Sequence, residues 1–382
     1  VWLAALTLFT TTSACSSTSE TPDDRADDTA DMATADVGGD TDSVAADMAP
    51  DAPGSGDLGS ADADNDAGLG CAAAPAAQVA GTAETDGVAN SPARCGQGAH
   101  AWLRDGSLGD VTAWGVTREM NAAVIESLAA QEGLTIPPLM HDVRIQQFAY
   151  MTQDRGAPIE ATALVSFPRG IDPGEERGVV LFLHGTSGFS DQCAPSDDLG
   201  GQLLSALAAT QGFIVVAPDY NGMKGLGDAS EEPSPYLMGQ PTAIASLDAV
   251  RAVLKMSDEE RLGLCPSTDV AVWGISQGGH AALWAHRLAP YYARELNMVG
   301  GVAAVPTADL VGQGELALTS LTDSTSNTAA MLGAGALWYR ADPSEAFAPP
   351  YDVDVPASLL AECGGGVLRD VTQLDELFTP LL

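Results

Sequence analysis

Positive charge is scarce in this chain: 16 Lys and Arg stand against 52 Asp and Glu, a formal net charge of −36 over 382 residues. So acidic a surface repels phosphate backbones and anionic headgroups, which disfavours nucleic-acid binding and charge-driven membrane attachment. The partner is expected to be neutral, cationic or small. Long apolar runs are missing too. The run at the start, residues 1–10, is about half of the ~20 residues a spanning helix needs. No His, Cys or carboxylate cluster has ligand spacing, so neither a metal nor another cofactor is expected. DADND (62–66) lacks the Gly and Glu that an EF-hand loop requires. Histidine is rare as well. There are five, at positions 100, 141, 184, 280 and 286, and none in the 96 residues after His286.

What is present divides the chain into a leader, a tether and a folded part. VWLAALTLFTTTSAC (1–15) reads as the apolar region and cleavage site of a secretory signal. It has no Met and no basic flank, so the start is expected to be missing or misplaced. TSAC resembles a bacterial lipobox in which Cys15 becomes lipidated, with Thr12 where Leu is usual; an ordinary signal peptide with Cys15 incidental is the alternative. Residues 16–70 hold fourteen Asp and one Glu against Arg25 alone. They carry almost no large apolar side chain and are expected to stay disordered. As a random coil this tether reaches about 40 Å, and self-repulsion extends it. A lipid anchor at Cys15 is the one membrane contact expected. Five further cysteines follow, at 71, 95, 193, 265 and 363. Export favours disulfides among them, and Cys71 with Cys95 would close a local loop worth roughly 3 kcal/mol in the chain-entropy model. The odd number leaves one thiol unpaired.

From residue 143 strands and helices alternate. VRIQQFAYMT (143–152) and IEATALVSFP (159–168) read as an antiparallel pair. GVVLFLHG (178–185), FIVVAPDY (213–220), DVAVWGIS (269–276) and VGGVAAVP (299–306) are mostly apolar and rich in Val, as parallel strands covered on both faces require. Ile244, Leu247, Val250 and Leu254 mark a helix over 241–256, with Pro241 in its first turn. A second helix follows Ser276, with Ala281, Trp284 and Leu288 on one stripe and Pro290 closing it. The pattern predicts a mixed, mostly parallel α/β sheet with helices on both faces. Residues 71–310 are expected to form this core and 311–382 a helical cap insertion. The final VTQLDELFTPLL looks like a helix cut in mid-course.

Gly274, Ser276 and Gly278 form GxSxG between an apolar strand and a helix, the context that gives the motif meaning. A hydroxyl forced onto so sharp a turn needs neighbours without side chains. The helix begins beside the serine, so its free amides face any charge that develops there. LHGTSG (183–188) ends the preceding parallel strand. In this geometry Gln277 supplies one backbone donor to an oxyanion and the Gly185 to Thr186 segment the other. His184 is expected to order that loop, and Asp219 to pin another.

HGTSGFSDQCAPS (184–196), GFIVVAPDYNGMKGLG (212–227), PYLMGQPTAIASLDAVRAV (235–253), GISQGGHAALWAH (274–286) and VGGVAAVPTADL (299–310) together resemble the α/β-hydrolase superfamily, and within it the secretory lipase family and its bacterial relatives. The resemblance covers roughly 143–310. It implies ester hydrolysis through an acyl-enzyme on Ser276, a lid over an acyl pocket, and a disulfide between Cys193 and Cys363. The substrate class is a small ester or a lipid.

The family places its Asp and His after the nucleophile, on loops beyond the last strands, and here the chain departs from it. His280 and His286 lie four and ten residues into the helix, His286 about 15 Å along its axis from Ser276. His100 and His141 precede the sheet. Asp309 sits where some relatives keep their acid, though a helix cap is the simpler role. The expectation is a hydrolase whose last strands, acid and base lie beyond the given residues, exported and inactive as residues 1–382. A catalytically dead surface lipoprotein with a binding role and a peptidase on the same fold are the alternatives.

Overall fold

The computed structural model describes residues 71–79, 101–131, 133, 135–256, 262–361, 363 and 371–380. The leader, the acidic tether, Cys15, Cys95 and His100 lie outside the described residues.

A strand with apolar side chains on both sides needs a layer of helices on each. Strand β4 (Glu176–Leu183) turns Val179, Leu181 and Leu183 to one face and Val180 and Phe182 to the other, all buried. The first set packs with Ile214, Val216, Val270 and Val272 under α3 (Gly239–Lys255) and α4 (Gln277–Tyr292). The second packs with Val215 and Ala217 under α2 (Leu199–Ala209) and Ile125 of α1 (Ala122–Gln131). β4 pairs in parallel with β5 (Ile214–Pro218) and β6 (Cys265–Ile275), and β6 with β7 (Asn297–Ala304). β2 (Val143–Asp154) and β3 (Ala157–Pro168) form a hairpin whose turn residues, Arg155 and Gly156, both have positive φ. That suits the twist of a two-residue hairpin.

The sheet has seven strands in the order β1-β2-β3-β5-β4-β6-β7. Its outermost antiparallel strand, β1 (Val111–Met120), has no counterpart in the sequence reading. Its residues alternate poorly between buried and exposed, and its register against β2 shifts twice.

Other expectations need correction. α4 runs through Pro290 to Tyr292, because a proline in the last turn forfeits only one hydrogen bond. Cys71 pairs not with Cys95 but with Cys265, 194 residues away. Ala74 and Val79 pack on the core cluster under α3 and α4, which brings residues 71–79 to the sheet. Cys193 does pair with Cys363. After β7 come α5 (Leu310–Ala317), α6 (Asp323–Tyr339), α7 (Tyr351–Ala361) and α8 (Leu374–Leu377). The last is four residues long, and Phe378 beyond it bridges to Phe347. The sequence Thr379-Pro380 explains the stop, since a residue before proline avoids the helical region.

Among the described residues no helix is long and apolar enough to cross a membrane.

Candidate active site

At the end of β6 the chain passes from extended to helical within one residue. Ser276 makes that passage at φ 56°, ψ −117°, a conformation that costs a residue with a side chain of order 1–3 kcal/mol. Its neighbours have no room for side chains. A Cβ on Gly274 would lie 2.0 Å from the Gly278 carbonyl oxygen, and one on Gly278 1.9 Å from that of Leu183. The first turn of α4 thus presses against the ends of both β6 and β4. Ser276 N–H donates to the Ala304 carbonyl (2.9 Å), and its own carbonyl accepts from His280 N–H (3.0 Å). The bend is held from both sides, with the serine partly exposed.

Gln277 is the first residue of α4, so its amide is one of the N–H groups that the helix itself leaves unused. Across from it, a Cβ on Gly185 would lie 3.5 Å from the Ile275 carbonyl oxygen and 3.7 Å from Ser276 Cβ. β4 and β6 are neighbours whose next connections run to opposite sides, to β5 and to β7. That crevice at the carboxyl ends of the strands is where open α/β sheets hold ligands. Ser276, Gln277, Gly185 and Thr186 therefore share one corner, with Gly274 and Gly278 beneath it.

Two of the four described histidines are held by backbone carbonyls. The His184 ring stacks on Tyr220 at 4.2 Å, and its Nδ1 lies 2.7 Å from the Gly185 carbonyl oxygen. Burial lowers its pKa to about 4 against the two backbone carbonyls that raise it. His280 Nδ1 lies 2.6 Å from the Thr307 carbonyl oxygen, and burial lowers its pKa too. His286 stands against Gly301 on β7, and His141 beside Gly212 at the opposite end of the sheet. Among the described residues no histidine is hydrogen-bonded to the Ser276 hydroxyl.

Asp309 accepts from Gly312 N–H (2.9 Å) and caps α5. Asp219, buried, accepts from Ser196 N–H (2.8 Å) and the Thr162 hydroxyl (2.6 Å). Burial outweighs those donors and raises its pKa to about 7. Among the described residues no group of three or more His, Cys, Asp or Glu is disposed to hold a metal ion.

Two tyrosines escape the sequence reading. Tyr220, at φ 71°, donates its hydroxyl to the His184 carbonyl (2.9 Å). The Tyr236 hydroxyl lies 3.0 Å from Thr186 Oγ1. Both sit in stretches the motif reading quotes, APDY and PYLMG, and an aromatic hydroxyl beside Pro and Gly is the only trace either leaves.

A mixed sheet with a serine at a one-residue corner after a central parallel strand, beside the loop of the neighbouring strand, is the arrangement of the α/β-hydrolase fold. Residues 201–320 match the model of the secretory lipase family. It is 31% identical over 181 residues to a probable inactive lipase of Mycobacterium tuberculosis, covering 44% of this chain and 38% of that one. It is 35% identical over 133 residues to a secreted triacylglycerol lipase of Malassezia globosa, covering 32% and 27%. The chain thus spans well under half the length of these curated relatives. The crystal structure of the ligand-bound rice cell wall degrading esterase LipA from Xanthomonas oryzae shares the fold, with a TM-score of 0.57, 22% identity and coverage of 71% of this chain and 73% of that one.

Proposed function

We propose that the complete protein is an exported serine hydrolase that cleaves carboxylic esters through an acyl-enzyme on Ser276. The observation that carries this reading is the strained corner at Ser276, placed between the first amide of α4 and the Gly185 loop. In it, Ser276 Oγ attacks the ester carbonyl carbon and the carbonyl electron pair moves to oxygen. The backbone N–H groups of Gln277 and of Gly185 or Thr186 hold that oxygen. The alcohol leaves with the proton taken from Ser276, and water then repeats the sequence on the acyl-enzyme. Among the described residues no histidine is hydrogen-bonded to the Ser276 hydroxyl, and this reading draws its imidazole base and partner carboxylate from outside residues 1–382, in the order the family resemblance implies. Residues 1–382 alone would then be nearly inactive.

Two disulfides, Cys71–Cys265 and Cys193–Cys363, support export to an oxidising compartment. Anchoring through a lipidated Cys15 rests on the sequence alone. The substrate is an acylglycerol or a short acyl ester, in keeping with the family.

The placement of the described histidines equally favours a second reading, a surface protein that keeps the fold for binding and has lost catalysis. Turnover of a chromogenic short-acyl ester by the complete gene product separates the two. The hydrolase reading expects a rate that Ser276→Ala lowers by at least about 10⁴-fold. No turnover above background favours the binding protein, and amide turnover exceeding ester turnover points to a peptidase.

A further inference from the structure

The loop after β4 is gripped by a second loop, the one that leads into α3. Ser234 N–H donates to the Phe189 carbonyl (2.8 Å), and the Tyr236 ring meets Phe189 edge-on at 5.0 Å. Leu237 then reverses the chain at φ 59°, and α3 starts two residues later. Phe189, Tyr236 and Leu237 pack in one cluster with Ala330 and Ala334 of α6 and Leu359 of α7. Tyr236 is therefore fixed along its backbone, on its ring face and beneath the helices that follow β7. A phenol buried in apolar surroundings needs a partner for its hydroxyl. The Thr186 hydroxyl, at 3.0 Å, is that partner.

Two hydroxyls that share one contact use only one of their protons in it. The phenol is the more acidic and so the better donor, which makes Thr186 Oγ1 the acceptor and leaves the threonine proton free for another acceptor. Thr186 directly follows Gly185, where a Cβ would be 3.7 Å from that of Ser276. We propose that the Thr186 hydroxyl is a third oxyanion donor beside the two backbone amides, and that Tyr236 is the positioning residue that orients it. This rests on the ester-hydrolase reading above. No proton changes owner: as the serine oxygen bonds to carbon and the carbonyl pair moves to oxygen, the Tyr236 to Thr186 to oxyanion hydrogen bonds shorten. Burial holds the Tyr236 phenol above its ordinary pKa, so it remains a donor wherever the enzyme can be assayed.

The test uses the complete gene product, a chromogenic short-acyl ester and three variants whose folding is checked by thermal melting. Thr186→Val keeps the shape and removes the hydroxyl; it is expected to lower kcat about 10- to 100-fold with KM within about twofold. Thr186→Ser restores the hydroxyl and is expected to stay within about threefold of the parent. Tyr236→Phe is expected to lower kcat about 3- to 10-fold, by the same factor from about pH 6 to about pH 9. Parental kcat in Thr186→Val, or equal losses in the Ser and Val variants, overturns the threonine's role. Parental kcat in Tyr236→Phe overturns the tyrosine's. If the parent itself neither turns over ester nor labels at Ser276, the hydrolase reading is what has failed.

Discussion

Ser276 occupies a backbone conformation in which its neighbours' missing side chains matter as much as its own hydroxyl. In Gly278→Ala a methyl would stand 1.9 Å from the Leu183 carbonyl oxygen, and that atom belongs to the β4 backbone, which cannot turn aside. We expect this variant to lose about 2–3 kcal/mol of stability and most activity, read as a lowered urea midpoint. Acid sensitivity has its origin at the same scale. His184 has a folded pKa of about 4 against 6.5 unfolded. Its neutral form is favoured by the fold, so its contribution is complete above pH 6.5 and is lost as pH falls toward 4, about 3 kcal/mol in all. Asp219 works the other way. Its pKa rises from 3.8 to about 7, so its contribution is complete below pH 3.8 and is lost as pH rises through 7, about 4 kcal/mol. Between about pH 4 and 6.5 the two oppose each other. Urea midpoints across that window should therefore change little in the parent and climb with pH in Asp219→Asn. A variant that tracked the parent would show that the two groups do not compensate.

Helix α3 is where the fold depends most on a buried charge. Arg251 reaches Asp248 (2.6 Å) and Glu295 (2.5 Å), and Asp248 also accepts from Thr152 (2.6 Å) and the Tyr292 hydroxyl (2.8 Å). All three charged residues of this network have side chains at most 3% exposed. It ties α3 to β2 and to the end of α4, the helix whose first turn follows Ser276. Arg251→Met leaves two carboxylates without their cation and is expected to cost about 3–5 kcal/mol in urea denaturation. The helices after β7 have their own fastenings. Arg155, at the β2–β3 turn, donates to the Trp338 carbonyl (2.8 Å) and lies over the Trp338 ring at 5.6 Å. Cys363 joins Cys193 beside Gly188, in the loop that follows β4. We expect Cys363→Ser to lower stability by about 2–4 kcal/mol. Amide exchange in α6 and α7 should rise more than in β4 to β6. Uniform faster exchange would mean that the disulfide serves the whole fold and not that layer.

Across the whole molecule, what the sequence made legible is what local pattern decides. The unbroken apolar run Val179–Leu183 marks a strand covered on both faces, and glycines two residues either side of Ser276 mark the corner; the similar runs of β6 and β7 mark strands but not double cover, since Trp273, Ile275, Val299 and Val302 lie exposed. Partners far apart in the chain leave no such mark. Cys71 meets Cys265 across 194 residues, and Tyr236 meets Thr186 across 50. An edge strand such as β1 needs no regular alternation, because only part of it is buried, and Gly115 in its middle accommodates the Gln147 side chain. Short α8 failed for a related reason, since Leu374, Leu377 and Phe378 repeat at helical spacing while Pro380 ends the turn. The central claim nonetheless rests on one hydroxyl. Exposure of the complete gene product to a fluorophosphonate probe, followed by mass mapping of the labelled peptide, should place the adduct on Ser276 and lose it in Ser276→Ala. Recovery of an unmodified Ser276 peptide, or a label that persists in the alanine variant, would contradict the account.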